Sequence, residues 1–104
     1  MADSNTLRTN IINALDEWTR LEDGVREDSF IDVDLTDGSV KFIDADDLIK
    51  YDLVDPTQRL SFHTINPWDF AEYDEASQTF SFPQTEVEEA IKNALKLKRE
   101  FEEL

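Results

Sequence analysis

The stretch FIDVDLTDGSVKFI, residues 30–43, carries the strongest local signal of structure in the chain. Apolar residues alternate with aspartates from residue 31 to residue 35, and Asp37-Gly38 is a preferred two-residue turn of a β-hairpin. Alternation places successive side chains on opposite faces, so the sequence predicts an antiparallel hairpin with one apolar face. The cross-strand pairs expected from this turn are Leu35 with Val40, Asp34 with Lys41, and Val33 with Phe42.

Three helices are predicted around this hairpin. Apolar residues recur at helical spacing over residues 5–22, which indicates an amphipathic first helix that includes Trp18. A short second helix is predicted over residues 45–52 and a longer third helix from residue 85 onward. The expected boundary signals are Gly24 after the first helix, Asp44 before and Asp55-Pro56 after the second, and a Thr85/Glu88 capping box at the third.

Strand patterns occupy the region between the second and third helices. RLSFHTI, residues 59–65, predicts one strand, while WDFAEY and QTFSF, residues 68–73 and 78–82, flank a DEAS turn and predict a second hairpin. The chain of 104 residues has the length of a single domain, residues 1–104. The predicted fold class is α+β: two layers, with an antiparallel sheet of about five strands packed by N- and C-terminal helices, in the order α-β-β-α-β-β-β-α.

The charge of the chain is strongly negative, since 25 acidic residues and 10 lysines or arginines give a net charge of −15. Such a field repels nucleic acid and anionic membranes, whereas it attracts basic proteins and cations. The lack of cysteine excludes disulfides, thiolate metal sites and cysteine nucleophiles. No apolar run has the length of a membrane span or the order of a signal peptide, so a cytoplasmic protein without membrane contact is expected.

The aspartate-rich stretch does not match a calcium-binding EF-hand loop. If the loop began at Asp32, Asp37 would occupy the position that requires glycine and Ile43 the position that requires glutamate. Weak binding of divalent cations by clustered carboxylates remains open. The one histidine, His63, has no second imidazole or thiol to complete a zinc site. No nucleophile elbow or phosphate-binding loop is present, so we expect neither an enzyme nor a cofactor.

Acidic and aromatic residues together suggest a surface for binding a protein. Asp32 and Asp34 point the same way along a strand at about 6.6 Å spacing, which is similar to a run of backbone phosphates. Trp68 and Phe70 fall on one face of the second predicted hairpin, where they form either a covered core face or an exposed patch. The residues predicted to bind a partner are Asp16, Glu17, Asp23, Glu27, Asp28, Asp32, Asp34, Asp46, Asp47, Trp68 and Phe70.

Two family resemblances accompany these patterns. DGSVKFID, residues 37–44, followed by FAEYDEASQTFSFP, residues 70–83, resembles a small bacterial family of unknown function that ends in a Thr-x-x-aromatic-Pro element, here Thr79, Phe82 and Pro83. This resemblance implies a non-enzymatic accessory domain. The order of elements is also similar to that of the frataxin family. This resemblance implies iron-binding carboxylates at Glu22, Asp23, Glu27 and Asp28.

These observations predict a small, acidic, non-enzymatic protein that binds and inhibits or regulates a basic partner of the nucleic-acid-binding or nuclease type, by phosphate mimicry. Immunity proteins, antitoxins and phage-encoded inhibitors of defence systems belong to this class of small regulatory proteins. Two alternatives remain open from the sequence. One is a frataxin-like metal-handling domain, and the other is an acidic accessory domain of a salt-adapted cell.

Overall fold

The computed structural model describes residues 4–52 and 61–103, and it confirms the predicted α+β class. Helices lie at both ends of the chain, and the five strands between them pair only in antiparallel fashion. Within the described residues the elements are α1 Ser4–Thr19, α2 Asp23–Arg26, β1 Phe30–Asp34, β2 Val40–Ile43, α3 Ala45–Asp52, β3 Phe62–Ile65, a 3₁₀ helix Pro67–Asp69, β4 Glu72–Asp74, β5 Thr79–Ser81 and α4 Gln84–Glu102.

The five strands form two sheets, whereas the sequence predicted one. β1 is the central strand of a three-stranded sheet in the order β2-β1-β3, and among the described strands β4 pairs only with β5. The reason lies at Asn66-Pro67, where the Asn66 side chain accepts a hydrogen bond from Trp68 N at 3.1 Å and Pro67 begins a 3₁₀ helix. The predicted strand over residues 68–73 therefore starts only at Glu72, and the second hairpin stands apart from the first.

The first hairpin has a register two residues away from the predicted one. Val33 lies opposite Val40, and Asp32 rather than Asp34 lies opposite Lys41. Asp34 N donates to Ser39 O at 2.8 Å, so residues 35–38 form a four-residue loop in place of the two-residue turn. Because a shift of two residues keeps every side chain on its face, the predicted apolar face is retained.

The second hairpin also pairs two residues away from its predicted register. A DEAS turn would place Tyr73 opposite Gln78, whereas Tyr73 lies opposite Phe80 and Asp74 lies opposite Thr79, so the turn spans residues 75–78. This turn has the predicted four residues but begins one residue later. Gln78 ends it with a positive φ of 57°, and Asp74 Oδ1 accepts a hydrogen bond from Ala76 N at 3.0 Å. Side-chain acceptors at the start of each loop thus favour a turn other than the one that the sequence predicted.

The core lies between one face of the three-stranded sheet and the two long helices. α1 packs against β2, α4 packs against β3, and the two helices also contact each other, which gives the predicted two layers. No helix in the described ranges has both the length and the apolar character needed to cross a bilayer. The buried apolar residues of this core are Leu7, Ile11, Ala14, Leu15, Ile31, Val33, Leu35, Ile65, Ile91 and Ala94.

Two predicted helix boundaries differ from the structure. α1 ends at Thr19 rather than at residue 22, and Gly24 lies inside the short helix α2 instead of providing a left-handed stop. At α4, Pro83 is the N-cap residue and no side chain caps the helix, so the predicted capping box is wrong. Glu88 instead forms a two-pronged ion pair with Arg8, which joins α4 to α1.

The short helix α3 has the predicted bounds, residues 45–52, and the predicted cap. Asp44 Oδ1 accepts a hydrogen bond from Asp47 N at 2.8 Å, which satisfies one of the free donors at the helix start. Asp55-Pro56, predicted to end this helix, and residues 59–60 of the next predicted strand lie outside the described residues.

Candidate protein-interaction surface

A buried arginine joins α2 to the C-terminal end of α1. Arg26 is only 7% exposed, and its guanidinium donates to Trp18 O at 3.2 Å, to Thr19 O at 3.0 Å and to Leu21 O. The first two are among the carbonyl groups that a helix end leaves without an intrahelical partner, and Leu21 follows the end of α1. Asp23 balances the charge through an ion pair at 2.7 Å. Arg26 therefore places a positive charge at the C-terminal end of α1, where it interacts favourably with the helix dipole.

The same guanidinium lies over the ring of Phe80. Its carbon Cζ is 4.6 Å from the Phe80 ring centroid and 5.7 Å from that of Trp18. Trp18, which is fully buried, also makes edge contacts with Trp68 at 4.9 Å and with Phe80 at 5.4 Å between ring centroids. Arg26 and these three rings attach the second hairpin to α1, since a two-stranded hairpin is at best marginally stable by itself.

Two rings of this cluster reach solvent. Trp68 is 41% exposed and Tyr73 is 52% exposed, and their rings lie 5.4 Å and 4.8 Å from the ring of Phe80. We call Trp68, Tyr73 and the half-buried Phe80 between them the aromatic surface. Phe70 packs on Phe82 at 5.1 Å and against the core. Of the two alternatives that the sequence left open, Trp68 therefore shows the exposed one and Phe70 the covered one, so Phe70 does not extend the aromatic surface.

The residues next to Trp68 and Tyr73 in the chain include several exposed carboxylates. The chain has no lysine or arginine between Arg59 and Lys92. Among the described residues, Arg26 is the cation that contacts the aromatic cluster, and it lies on the buried side. Four exposed acids adjoin Trp68 and Tyr73 in the chain and form no salt bridge within the described residues. They are Asp69, Glu72, Asp74 and Glu75.

A second group of acids gathers at the start of α3, and we call it the α3 acidic cluster. Asp28 Oδ1 accepts a hydrogen bond from Ala45 N at 3.0 Å, which brings the turn after α2 to the start of α3. Each capping bond uses one oxygen of a carboxylate that can accept about four hydrogen bonds, so acceptor capacity remains for a partner. The α3 acidic cluster consists of Glu27, Asp28, Asp44, Asp46 and Asp47.

The structure does not support the prediction that Asp32 contacts a partner. It is 2% exposed, and Ile43 on the same face of the sheet is 5% exposed, whereas Lys41 opposite Asp32 is exposed. Asp32 Oδ1 lies 3.4 Å from Thr64 Oγ1 on the neighbouring strand. Asp34 is half-buried and accepts a hydrogen bond from Thr36 N at 2.9 Å. The two aspartates therefore do not present a pair of phosphate-like charges to solvent.

The predicted residues on α1 lie on different sides of that helix. Asp16 is exposed, pairs with Arg20 at 3.0 Å and borders a groove of about 300 Å³ lined also by Phe80 and Phe82. Glu17 is exposed on the side that faces Lys41 of the first hairpin. The structure thus brings Asp16 and Asp23 near the aromatic cluster, and Glu27, Asp28, Asp46 and Asp47 together at α3.

Titratable groups elsewhere show structural roles. His63 lies opposite Val33 on the core side of the sheet, and its burial lowers the pKa of the imidazole, while the negative charge of Asp32 opposes that shift. The ion pair with Arg8 lowers the pKa of Glu88. In the part of the chain that is described, no three histidine or carboxylate side chains are arranged to hold a metal ion.

The fold and this surface define a small α+β domain whose exposed aromatic rings neighbour exposed carboxylates along the chain. Comparison of the chain with protein-family models, with curated proteins and with solved structures finds no match.

Sequence reasoning missed Tyr73 and Arg26. Tyr73 shares a face with Phe80, but Phe80 contacts Trp18 and Arg26, whereas Tyr73 stays 52% exposed. Nothing in the sequence around Arg26 predicts that its guanidinium is buried. One sequence signal does point to this region, namely the absence of any lysine or arginine from residue 60 to residue 91.

Proposed function

We propose that this protein is a small, cytoplasmic, non-enzymatic protein that binds and inhibits or regulates a basic protein of the nucleic-acid-binding or nuclease type. One observation carries the proposal: exposed aromatic rings lie in a part of the chain that has exposed carboxylates and no outward-facing base among the described residues. Aromatic residues are enriched at the centre of protein interfaces, and opposite charges set the choice of partner.

Phosphate mimicry is supported by the α3 acidic cluster rather than by Asp32 and Asp34. In this cluster, capping hydrogen bonds to Ala45 N and Asp47 N hold Asp28 and Asp44 in fixed positions. Fixed carboxylates lose less side-chain entropy on binding than mobile ones do. A basic surface built for the phosphates of a nucleic acid would therefore find a prearranged row of anions here.

The net charge of −15 gives the complex a characteristic dependence on salt. Long-range attraction accelerates the encounter of oppositely charged proteins, and this acceleration falls as salt screens the charges. We therefore expect fast association at low ionic strength, and a loss of affinity that arises mainly from slower association as salt is added.

The test is a pull-down from cell extract at about 0.1 M and about 1 M NaCl, between which the Debye length falls from ~10 Å to ~3 Å. Retained proteins are identified by mass spectrometry, purified and assayed for nucleic-acid binding or cleavage with and without this protein. The expected result is a basic protein, retained at low salt only, whose activity on nucleic acid is blocked. Retention of no basic protein at low salt would contradict the proposal.

A pair of variants with equal charge separates specific contacts from general attraction. E27Q/D46N removes two charges from the α3 acidic cluster, and E100Q/E103Q removes two exposed charges from the C-terminal end of α4. We expect the first variant to weaken binding of the retained partner about tenfold, since a close charge pair contributes on the order of 1.5 kcal/mol or more. Equal losses in both variants would show that net charge alone acts.

A further inference from the structure

We propose that the aromatic surface is an arginine-binding site, in which the guanidinium of a basic partner stacks on Trp68 beside Tyr73. This inference rests on the proposed function and deepens it, because it names the side chain that the partner presents and the place where it binds. The argument has three steps, which concern the geometry of the rings, their rigidity and the surrounding charge.

The protein already contains one example of this contact on the buried side of the cluster. The Arg26 guanidinium lies 4.6 Å from the centroid of Phe80 and 5.7 Å from that of Trp18, which is within the range of about 6 Å for cation–π attraction. Trp68 and Tyr73 continue the same cluster outward. Their exposed surfaces, 41% and 52% of each residue, offer a second arginine the same kind of contact from solvent.

The exposed tryptophan is held in place before any partner arrives. Pro67 fixes the backbone at the start of the 3₁₀ helix, and Asn66 accepts a hydrogen bond from Trp68 N at 3.1 Å. The Trp68 ring makes edge contacts with Trp18 at 4.9 Å and with Phe80 at 5.4 Å. A rigid aromatic side chain loses little entropy on binding, and tryptophan is among the residues that contribute most to interface affinity.

The surrounding charge selects a cation for this surface. Asp69 directly follows Trp68, and Glu72 and Asp74 flank Tyr73 in β4; all three are exposed. Successive side chains of a strand point to opposite faces, so Glu72 and Asp74 attract a cation at longer range, and Asp69 is the carboxylate nearest to Trp68 in the chain. Arginine is favoured over lysine, because its planar guanidinium can stack on a ring while its N–H groups bind a carboxylate at the edge. Lysine offers a more strongly hydrated point charge, which gains the electrostatic attraction without the stacking.

Calorimetry with two short peptides of equal charge tests this inference. The probes are nona-arginine and nona-lysine at low salt, titrated into wild type, Trp68→Leu, Tyr73→Ser and the control Ile49→Ala, which removes an exposed apolar side chain from α3. The expected result is that wild type prefers arginine over lysine by about tenfold and that Trp68→Leu abolishes this preference. Tyr73→Ser reduces it, and Ile49→Ala leaves it unchanged. Because Trp68 touches the buried Trp18, Tyr73→Ser provides the test if Trp68→Leu does not fold.

Fluorescence gives an independent readout, since the chain has two tryptophans and Trp18 is buried. Quenching by acrylamide reports mainly on Trp68, and bound nona-arginine is expected to protect it. Equal affinity for the two peptides in wild type would overturn the arginine site, as would an unchanged preference in Tyr73→Ser. Either result leaves the proposed function standing if a basic partner is retained in the pull-down. Failure of that pull-down would instead remove the proposed function.

Discussion

At the scale of single residues, the most informative side chain is a cation inside an acidic protein. Arg26 donates to three carbonyl oxygens in the last turn of α1 and just after it, pairs with Asp23 and lies over Phe80. It therefore joins the end of a helix, a turn and a hairpin that have few other contacts. Burial of a guanidinium is unfavourable unless its hydrogen bonds and charge are satisfied, and here the carbonyls and Asp23 satisfy them.

Replacement of Arg26 is predicted to destabilise the fold. Arg26→Met keeps much of the side-chain volume but leaves buried carbonyl groups without a donor, so we expect a loss of about 3 kcal/mol in the free energy of unfolding. The matched control is Arg20→Met, at an exposed arginine that pairs with Asp16, for which a change within about 0.5 kcal/mol is expected. Urea denaturation measures both. Similar losses in the two variants would contradict a structural role for Arg26.

His63 gives a prediction on pH dependence. Its burial lowers the pKa of the imidazole, an effect larger than the opposing charge of Asp32. Asp69, Glu86 and Glu89 line the same surface depression. Because the unfolded chain then binds the proton more tightly than the folded chain does, acidification through about pH 6.5 costs stability.

NMR titration of the imidazole checks this prediction in the folded and the urea-unfolded chain. The folded pKa is expected below the unfolded one. The stability advantage of wild type over His63→Gln is expected to decrease as the pH falls below about 6.5. A folded pKa equal to or above the unfolded one would show that the surrounding carboxylates outweigh burial.

At the scale of elements, the helix α3 shows why the Asp44 cap could be predicted from the sequence. Asp44 precedes the helix, and its carboxylate accepts from Asp47 N while Asp28 accepts from Ala45 N. The first bond is local, so the sequence predicted it. The second joins residues 17 positions apart, and only the folded chain brings them together.

Removal of the Asp44 cap is predicted to weaken the fold modestly. Asp44→Ala removes the acceptor for Asp47 N, and we expect a loss of about 1 kcal/mol. Glu27→Ala removes a carboxylate of the same cluster that makes no capping bond among the described residues, so a change within about 0.5 kcal/mol is expected. Thermal unfolding followed by circular dichroism compares the two. Equal effects would mean that charge rather than capping stabilises α3.

The two hairpins show where sequence reasoning reached its limit. Alternation predicted which residues share a face, and that survives in both hairpins. The exact pairing did not, because Asp34 and Asp74 bind backbone N–H groups inside the following loops, and the first loop is longer than predicted while the second begins one residue later. Exposure of Trp68 and burial of Phe70 depend on the 3₁₀ helix after Asn66 and on contacts with α1, which periodicity along the chain does not encode.

At the scale of the whole molecule, negative charge is the dominant property. With a net charge of −15 on 104 residues, self-repulsion opposes the compact state, and only a few carboxylates are balanced by bases within the described residues. The same repulsion acts between copies of the protein and opposes their association at low salt.

Salt is therefore predicted to stabilise this protein. Between about 0.01 M and about 0.1 M NaCl the Debye length falls from ~30 Å to ~10 Å, which screens repulsion between exposed carboxylates. We expect the melting temperature to rise by several degrees over this range. A variant with fewer charges, E100Q/E103Q, is expected to show a smaller rise. A melting temperature that falls with added salt would contradict the prediction.

The attachment of the second hairpin also bears on how recognition can evolve. In β4 and β5 all residues except Phe80 are exposed, and the core of the domain does not include this hairpin's turn. Substitutions at its outward positions therefore carry little cost in folding. Under the proposed function, a few substitutions in this hairpin would change the partner that it binds, while α1, α4 and the three-stranded sheet keep their sequence constraints.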